Sequence, residues 1–348
     1  MNERYQRVTK FVTQHPWAII PDRLDALLEV LALRAEGRVL TDQEIQARLS
    51  AAPAPPGRRT VQAVAVVPVF GILAHRMNLM TQMSGGTSTE ELAGAVEGLV
   101  ADPDIQAILL DVDSPGGSVF GVQELADRIY KARGTKPIVA IANATAASAA
   151  YWVASQADQV LVTPSGQIGS IGVVAVHQDR SKQAELLGVR HTFVTAGKFK
   201  AAGNDMEPLD EATRADMQRR VDQYYGAFVQ AVARGRGVPV AEVRDGFGEG
   251  RVVSAGDAVR LGMADGVGSL DHVLGRLVAG KPALGPRAAA DGQTTDMMPP
   301  DEDGECPEGY ELGDDGMCHM MPAEGSPAGV AARREADALR RRLAAYEP

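Results

Sequence analysis

"IQAILLDVDSPGGSVFG", residues 105–121, decides the fold. Apolar residues run almost unbroken from Ile105 to Val112, and a Pro-Gly-Gly turn then stops them. A short apolar run bounded by turn residues reads as a strand, and a helix is expected directly after it, near 119–133. The same alternation extends both ways. Upstream, "VQAVAVVPVFGIL" (61–73) reads as strand and "STEELAGAVEGLVAD" (88–102) as helix, with Ser88 and Glu91 at capping-box spacing. Downstream, "PIVAIANA" (137–144) is a strand, and the small-residue run "NATAASAAYWVASQAD" (143–158) enters a helix reaching about Ala157. "QVLVTP" (159–164), "IGVVAVH" (171–177) and "HTFVTAG" (191–197) complete the expected strands. A long helix over about 210–235 and two shorter ones before Gly280 follow. Strands alternating with helices need crossover connections, so the prediction is an α/β domain with a mainly parallel sheet.

Four regions are expected: an N-terminal helical extension over 1–50, a Pro-rich linker over 51–60, the main domain over 61–280, and a tail over 281–348. The extension holds one amphipathic helix, "DRLDALLEVLALRAE" (22–36), with Leu24, Leu27, Leu28, Leu31 and Leu33 at mostly helical spacing. In the linker, "SAAPAPPGRRT", closely spaced prolines forbid helix and central strand alike. Between 288 and 325 the tail has eleven Asp and Glu and no Lys or Arg, a composition that cannot bury enough to order itself. The basic stretch at 331–346 reads either as a short amphipathic helix that could dock or as a frayed end.

The 348 residues carry a formal charge of −10, which argues against a nucleic-acid binder and its basic face. The two cysteines, Cys306 and Cys318, make no disulfide framework, and without C-x-x-C spacing they read as thiols rather than metal ligands, although His319 follows Cys318. No metal or cofactor is expected. No run reaches the roughly 18–20 apolar residues of a membrane span, and the N-terminal residues lack the pattern of a signal peptide. The expectation is a cytosolic protein with no membrane anchor.

Ser148 stands where the strand at 137–144 turns into a helix, a position that presents a hydroxyl at the sheet edge. Ala146, Ala147, Ala149 and Ala150 leave room for a substrate carbonyl to approach the backbone. The competing reading is a structural serine in a packed turn. Gly116 and Gly117 give a second feature, because glycine lets a ligand touch the main chain. An N–H from either, with that of Ala149, would make a two-donor oxyanion pocket, each donor worth about 3–4 kcal/mol in a transition state. The bland alternative is an ordinary turn. A phosphate cradle is disfavoured because no Gly-Lys-Ser/Thr follows.

A serine nucleophile needs a base. None of the six histidines lies in a triad motif, and G-x-S-x-G is missing, with Ala146 and Ala150 in its glycine places. Lysine can serve where burial favours the neutral amine. "TAGKFKAAGNDMEP" offers Lys198 and Lys200, and spacing does not choose between them.

"DSPGGSV", "ATAASAAYWVAS" and "GKFKAAG", in that order, resemble the signal peptide peptidase A (protease IV) family of Ser–Lys peptidases. The similarity covers about 62–278 and includes "SGQIGSIGVV". The resemblance implies a ClpP/crotonase-like fold, with Ser148 as nucleophile, Lys200 as general base and Ser170 as the residue orienting that base. It also implies Gly116, Gly117 and Ala149 as the oxyanion hole. One departure is the Ala149–Ala150 pair, where family members commonly carry glycine; alanine keeps the N–H but narrows the adjacent pocket. The N-terminal extension and acidic tail resemble the phage branch, the lambda-type capsid maturation proteases (protein C). That branch implies as polypeptide substrates scaffold, the protease itself and, as a further candidate, portal protein, inside the prohead in the host cytoplasm, and the fold's ring-forming relatives imply a homo-oligomer. The rival readings are a cytosolic bacterial homologue of the signal peptide peptidases, a crotonase-like acyl-CoA enzyme, and a non-catalytic scaffold component.

Overall fold

The computed structural model describes residues 8–284 apart from 10–11, 14, 39, 42–43, 46–47, 49–56 and 77–85; beyond 284 it describes 310–312 and 318–320. After helical residues at 8–9 and 12–13 come β1 (Trp17–Ile19) and α1 (Pro21–Ala35); past further helical residues at 44–45 and 48 follow β2 (Arg59–Val61), β3 (Val64–Phe70), β4 (Leu73–Ala74) and β5 (Thr87–Ser88). Next come α2 (Thr89–Ala101), β6 (Ala107–Ser114), β7 (Gly116–Ser118), α3 (Val122–Ala132), β8 (Ile138–Ala147), α4 (Ala149–Ala154), β9 (Gln159–Val162) and β10 (Gln167–Gly169). The rest of this unit is helix-rich: α5 (Ser181–Leu186), α6 (Glu211–Arg236), α7 (Val240–Gly246), β11 (Val252–Ser254), α8 (Ala255–Arg260), β12 (Gly266–Val267) and α9 (Leu270–Val278).

Among the described residues the main sheet has eight strands, with the path β11-β10-β8-β6-β3-β2, β9 on β8 and β12 on β9. Pairs β3·β6, β6·β8, β8·β9, β8·β10 and β9·β12 are parallel, while β2 and β11 pair antiparallel at the ends. Helices α2, α3 and α4 carry the crossovers that parallel pairing requires. The expected α/β architecture with its mainly parallel sheet is therefore present.

The unbroken apolar run that opened the sequence has a simple cause. Ile108, Leu110 and Val112 of β6 pack into the core under α2 and α3, while Leu109 packs with Val273 and Leu277 of α9. Strands β3, β8 and β9 are divided the same way, with Val67, Ala140 and Val160 on one face and Val66, Ile141 and Leu161 on the other. A sheet covered on both faces needs apolar residues at successive positions.

Helix ends follow local chemistry. Ser88 accepts the Glu91 N–H at 3.2 Å, half of the expected capping box. Asp210 accepts the Thr213 N–H at 2.9 Å to start α6, and Gly237, at φ 70°, ends it.

Strand β8 is the pivot. Its first half pairs with β9 through Ala142, and its end, Thr145–Ala147, pairs with β10. Between them Ala144 turns to φ 149°, and β6 shifts register between Val112 and Ser114. The sheet thereby divides just before Ser148. A smaller sheet, β1-β7-β4-β5, lies beside this point and draws the N-terminal segment into the same unit as the main sheet.

Two expected strands are absent. Residues 171–177 make only an isolated bridge, Val174 to Trp17, and 191–197 form no strand. Every residue from 191 to 200 is exposed, so this apolar alternation has no sheet face to pack on. Three short helices, rather than two, follow α6 before Gly280. In the separate unit from 285 onward, Tyr310–Leu312 (β13) pairs antiparallel with Cys318–Met320 (β14). Cys306 and the basic stretch at 331–346 lie outside the described residues, as does the Pro-rich stretch up to residue 56.

Candidate active site

Strand β8 ends at Ala147, α4 begins at Ala149, and Ser148 forms the turn between them at φ 55°, ψ −121°. Positive φ in a non-glycine residue is uncommon and persists only where neighbours hold it. Here the Ser148 N–H donates to Gly169 O at 2.7 Å, and Ser148 O accepts the Trp152 N–H at 2.9 Å. The hydroxyl donates to Gly172 O at a long 3.4 Å. Ser148 and the four flanking alanines are fully buried, and Trp152 stacks on Phe228 at 4.6 Å beneath α4. Small side chains are needed because the turn is packed on every side.

Gly116 meets this turn. It sits at φ 98°, and a Cβ there would lie 2.9 Å from Ser148 Cβ and 3.0 Å from Ala147 O. At Gly117 a Cβ would fall 2.6 Å from Leu73 N, because β4 runs against it. Both glycines are thus required by close approach of backbone. The Gly116 N–H donates to Ser114 Oγ at 3.2 Å, a weak contact that a charged oxygen would outcompete.

Ser170 lies two residues before Gly172, at φ 52°, nearly buried, with its N–H donating to Arg251 O at 2.7 Å. The "IGSIG" loop therefore wraps Ser148: Gly169 holds its backbone and Gly172 its hydroxyl. Sequence reading assigned neither role to Gly169 or Gly172, although three glycines in seven residues after Ser165 were a visible signal of close backbone approach.

The described structure thus brings together Ser148, Gly116, Gly117, Ala149 and the Ser170 loop. It does not bring in Lys200. That residue lies in an exposed turn, its N–H donating to Gly197 O at 3.1 Å, and its ammonium has no hydrogen-bond partner among the described residues. The neighbouring Lys198 ammonium lies 5.1 Å from the Phe199 ring centroid. The segment around them is apolar yet open: Leu186 is 88% exposed, Leu187 70% and Val194 94%. Farther along β6, burial raises Asp111 and Asp113 above the usual carboxylate range; the Asn143 amide opposes the shift at Asp111.

A serine on a strained strand-to-helix turn, beside a glycine pair, is a hydrolase arrangement found on several folds, so geometry alone leaves the lineage open. Comparison with known proteins decides it. Residues 131–282 match peptidase family S49, a span that includes Ser148, Ser170 and Lys200.

Residues 131–282 carry a peptidase family S49 domain.

The mainly parallel sheet with its interleaved helices is consistent with the ClpP/crotonase-like α/β fold expected for that family. Among similar proteins, head-tail preconnector protein GP5 of Enterobacteria phage P21 is 37% identical over 207 residues, covering 60% of this chain and 41% of that protein. Capsid assembly protease C of Escherichia phage lambda is 34% identical over 235 residues, covering 66% and 53%. A putative signal peptide peptidase SppA of Enterococcus faecium is 29% identical over 177 residues, 51% of each chain. The chain spans about half the length of these relatives or less. Gly116 and Gly117 precede the S49 match, so the glycine pair is tied to the site through the approach of Gly116 to Ser148. No helix among the described residues is long and apolar enough to cross a membrane.

Proposed function

We propose that this chain is a serine endopeptidase with a Ser148–Lys200 dyad, acting in phage capsid maturation. The observation that carries the reading is the strained, buried turn at Ser148 against Gly116, inside an S49 domain whose first relatives include a capsid assembly protease. In the proposed reaction the neutral Lys200 amine takes the Ser148 hydroxyl proton, and the Ser148 oxygen adds to a peptide carbonyl. Main-chain N–H groups of Ala149 and of Gly116 or Gly117 hold the resulting oxyanion. Its collapse expels the amine, which leaves with the proton from Lys200. Water then adds to the acyl-enzyme and releases the acid. Ser170 orients the lysine.

Substrates are scaffold, the protease itself and portal protein, and the site of action is the prohead in the host cytoplasm. Homo-oligomerisation is part of the proposal. A lysine serves as base only where water is stripped from it, and Lys200 in a single chain is exposed among exposed apolar side chains. A second copy covering the 181–200 segment would supply that burial.

The test is cleavage of a capsid scaffold protein by the assembled chain. Ser148→Ala and Lys200→Ala each abolish it, while circular dichroism and thermal unfolding stay as in the unsubstituted protein. Lys198→Ala leaves it near the starting rate. Loss of cleavage with Lys198→Ala but not Lys200→Ala moves the base to Lys198. Intact masses of the active and Ser148→Ala chains, compared after incubation, show whether the tail beyond residue 281 is cut by the enzyme.

A further inference from the structure

Strand β1 has partners on both sides. On one, it pairs antiparallel with β7, placing Trp17 opposite Ser118, Ala18 opposite Gly117 and Ile19 opposite Gly116; the Ile20 N–H then donates to Pro115 O at 3.0 Å. On the other, the Trp17 N–H donates to Val174 O and the Val174 N–H to Trp17 O, both at 2.8 Å. Both walls lead to Ser148. Gly116 ends one, with Ser148 Cβ 2.9 Å from where its own Cβ would be, and Gly172, which accepts the Ser148 hydroxyl, lies on the other. The strip between Gly116–Ser118 and Gly172–Val174 is therefore a slot with the serine at one end, and β1 fills it. The Ala18 carbonyl oxygen lies so close to Gly116 that no side chain fits there.

A peptide offered to Ser148 must reach it extended, with backbone groups free to pair with neighbouring edges, as in recognition by strand addition. The edges that border the serine are these two, and β1 uses both. It runs from Ser118 towards Gly116 and Pro115, so that Ile19 and Ile20 lie at the end of the slot nearest Ser148. Yet the segment is arranged to resist attack. The Ile20 carbonyl accepts the N–H groups of Arg23 and Leu24 at 3.0 and 3.3 Å, and Pro21 turns the chain at once into α1. That carbonyl is already engaged and is not offered to an oxyanion pocket. Burial keeps the strand seated: Trp17 and Ile19 pack with Leu24, Leu27 and Leu31 of α1, and the Trp17 indole N–H donates to Val12 O at 2.8 Å.

We propose that Trp17–Ile20 is a built-in competitor that occupies the peptide groove of Ser148, so that substrate binds only when this strand leaves. The proposal rests on the reading of Ser148 as the nucleophile. The fraction of chains with the slot open then scales the apparent affinity for substrate.

Two measurements test it on the full chain. Trp17→Ser combined with Ile19→Ser raises kcat/KM for an extended peptide by about tenfold or more, the effect of a groove open in a tenth or less of the molecules. Independently of how that variant folds, a short peptide boronate bound to Ser148 of the unsubstituted protein raises amide hydrogen exchange at residues 17–20 and leaves 116–118 protected. Boronate attached to Ser148 with exchange at 17–20 unchanged overturns the competitor while leaving the peptidase intact. So does a cut within 17–21 that Ser148→Ala prevents, since the strand would then be a substrate. Failure of any boronate to attach, with no cleavage by any variant, overturns the peptidase reading and the competitor with it.

Discussion

Ser148 and Gly116 depend on one another at the scale of single residues. The serine holds φ 55° because its N–H is fixed to Gly169 and the turn is enclosed, and the enclosure leaves no volume for a Cβ on Gly116. Gly116→Ala places that Cβ against backbone oxygens of Ala18 and Ala147 at a φ of 98°. The expected result is a loss of about 1–3 kcal/mol of stability in denaturant titration. Peptide cleavage falls further than that loss explains, because the donors beside Ser148 move. Unchanged cleavage would remove Gly116 from the site. Ser148 and the glycine pair were legible in the sequence as small residues at strand ends. Lys198 and Lys200 were not separable there, because spacing carries no information about which amine is covered.

Elements were legible where burial imposes a pattern. The apolar runs of β3, β6, β8 and β9 declared themselves because each strand is covered on both faces. Strands β10, β11 and β12 escaped notice: each has two or three residues and is held by register with a neighbour rather than by its own periodicity. The reverse error, strands over 171–177 and 191–197, came from apolar alternation in segments that pair with nothing beyond the single Val174–Trp17 bridge. An ion pair joins α6 to the segment before β12, beside the sheet. Arg236 of α6 donates twice to Asp265, at 2.9 and 2.8 Å, and Asp265 also accepts the Val160 N–H at 2.7 Å. With the Arg236 side chain only 7% exposed, Asp265→Ala leaves a buried cation without its carboxylate. A destabilisation of about 3–5 kcal/mol is expected in chemical unfolding. A change below 1 kcal/mol would mean that Arg236 finds water instead.

The molecule as a whole presents an exposed apolar segment around Lys200, with Leu186, Leu187, Val189, Phe193 and Val194 all open in a single chain. A patch of this kind marks an interaction surface. Val194→Asp places a charge where a second copy would pack. On the proposed homo-oligomer, sedimentation of this variant shows monomer only, and peptide cleavage is lost in parallel while the Tm of the single chain stays within a few degrees. Cleavage by a stable monomer would separate activity from assembly.

Composition and local pattern alone determined the α/β alternation, the strand-to-helix turn at Ser148 and the glycine pair after β6, because each is dictated by neighbouring residues and by what can be buried. Tertiary structure alone decided that Trp17–Ile19 is a strand and what it touches. Its hydrogen-bond partners lie about a hundred residues or more away, at Gly116–Ser118 and Val174, and a three-residue segment has no period of its own to announce it. The surroundings of Lys200 are decided the same way: they depend on which surfaces meet around the amine, and no neighbour in the chain fixes that.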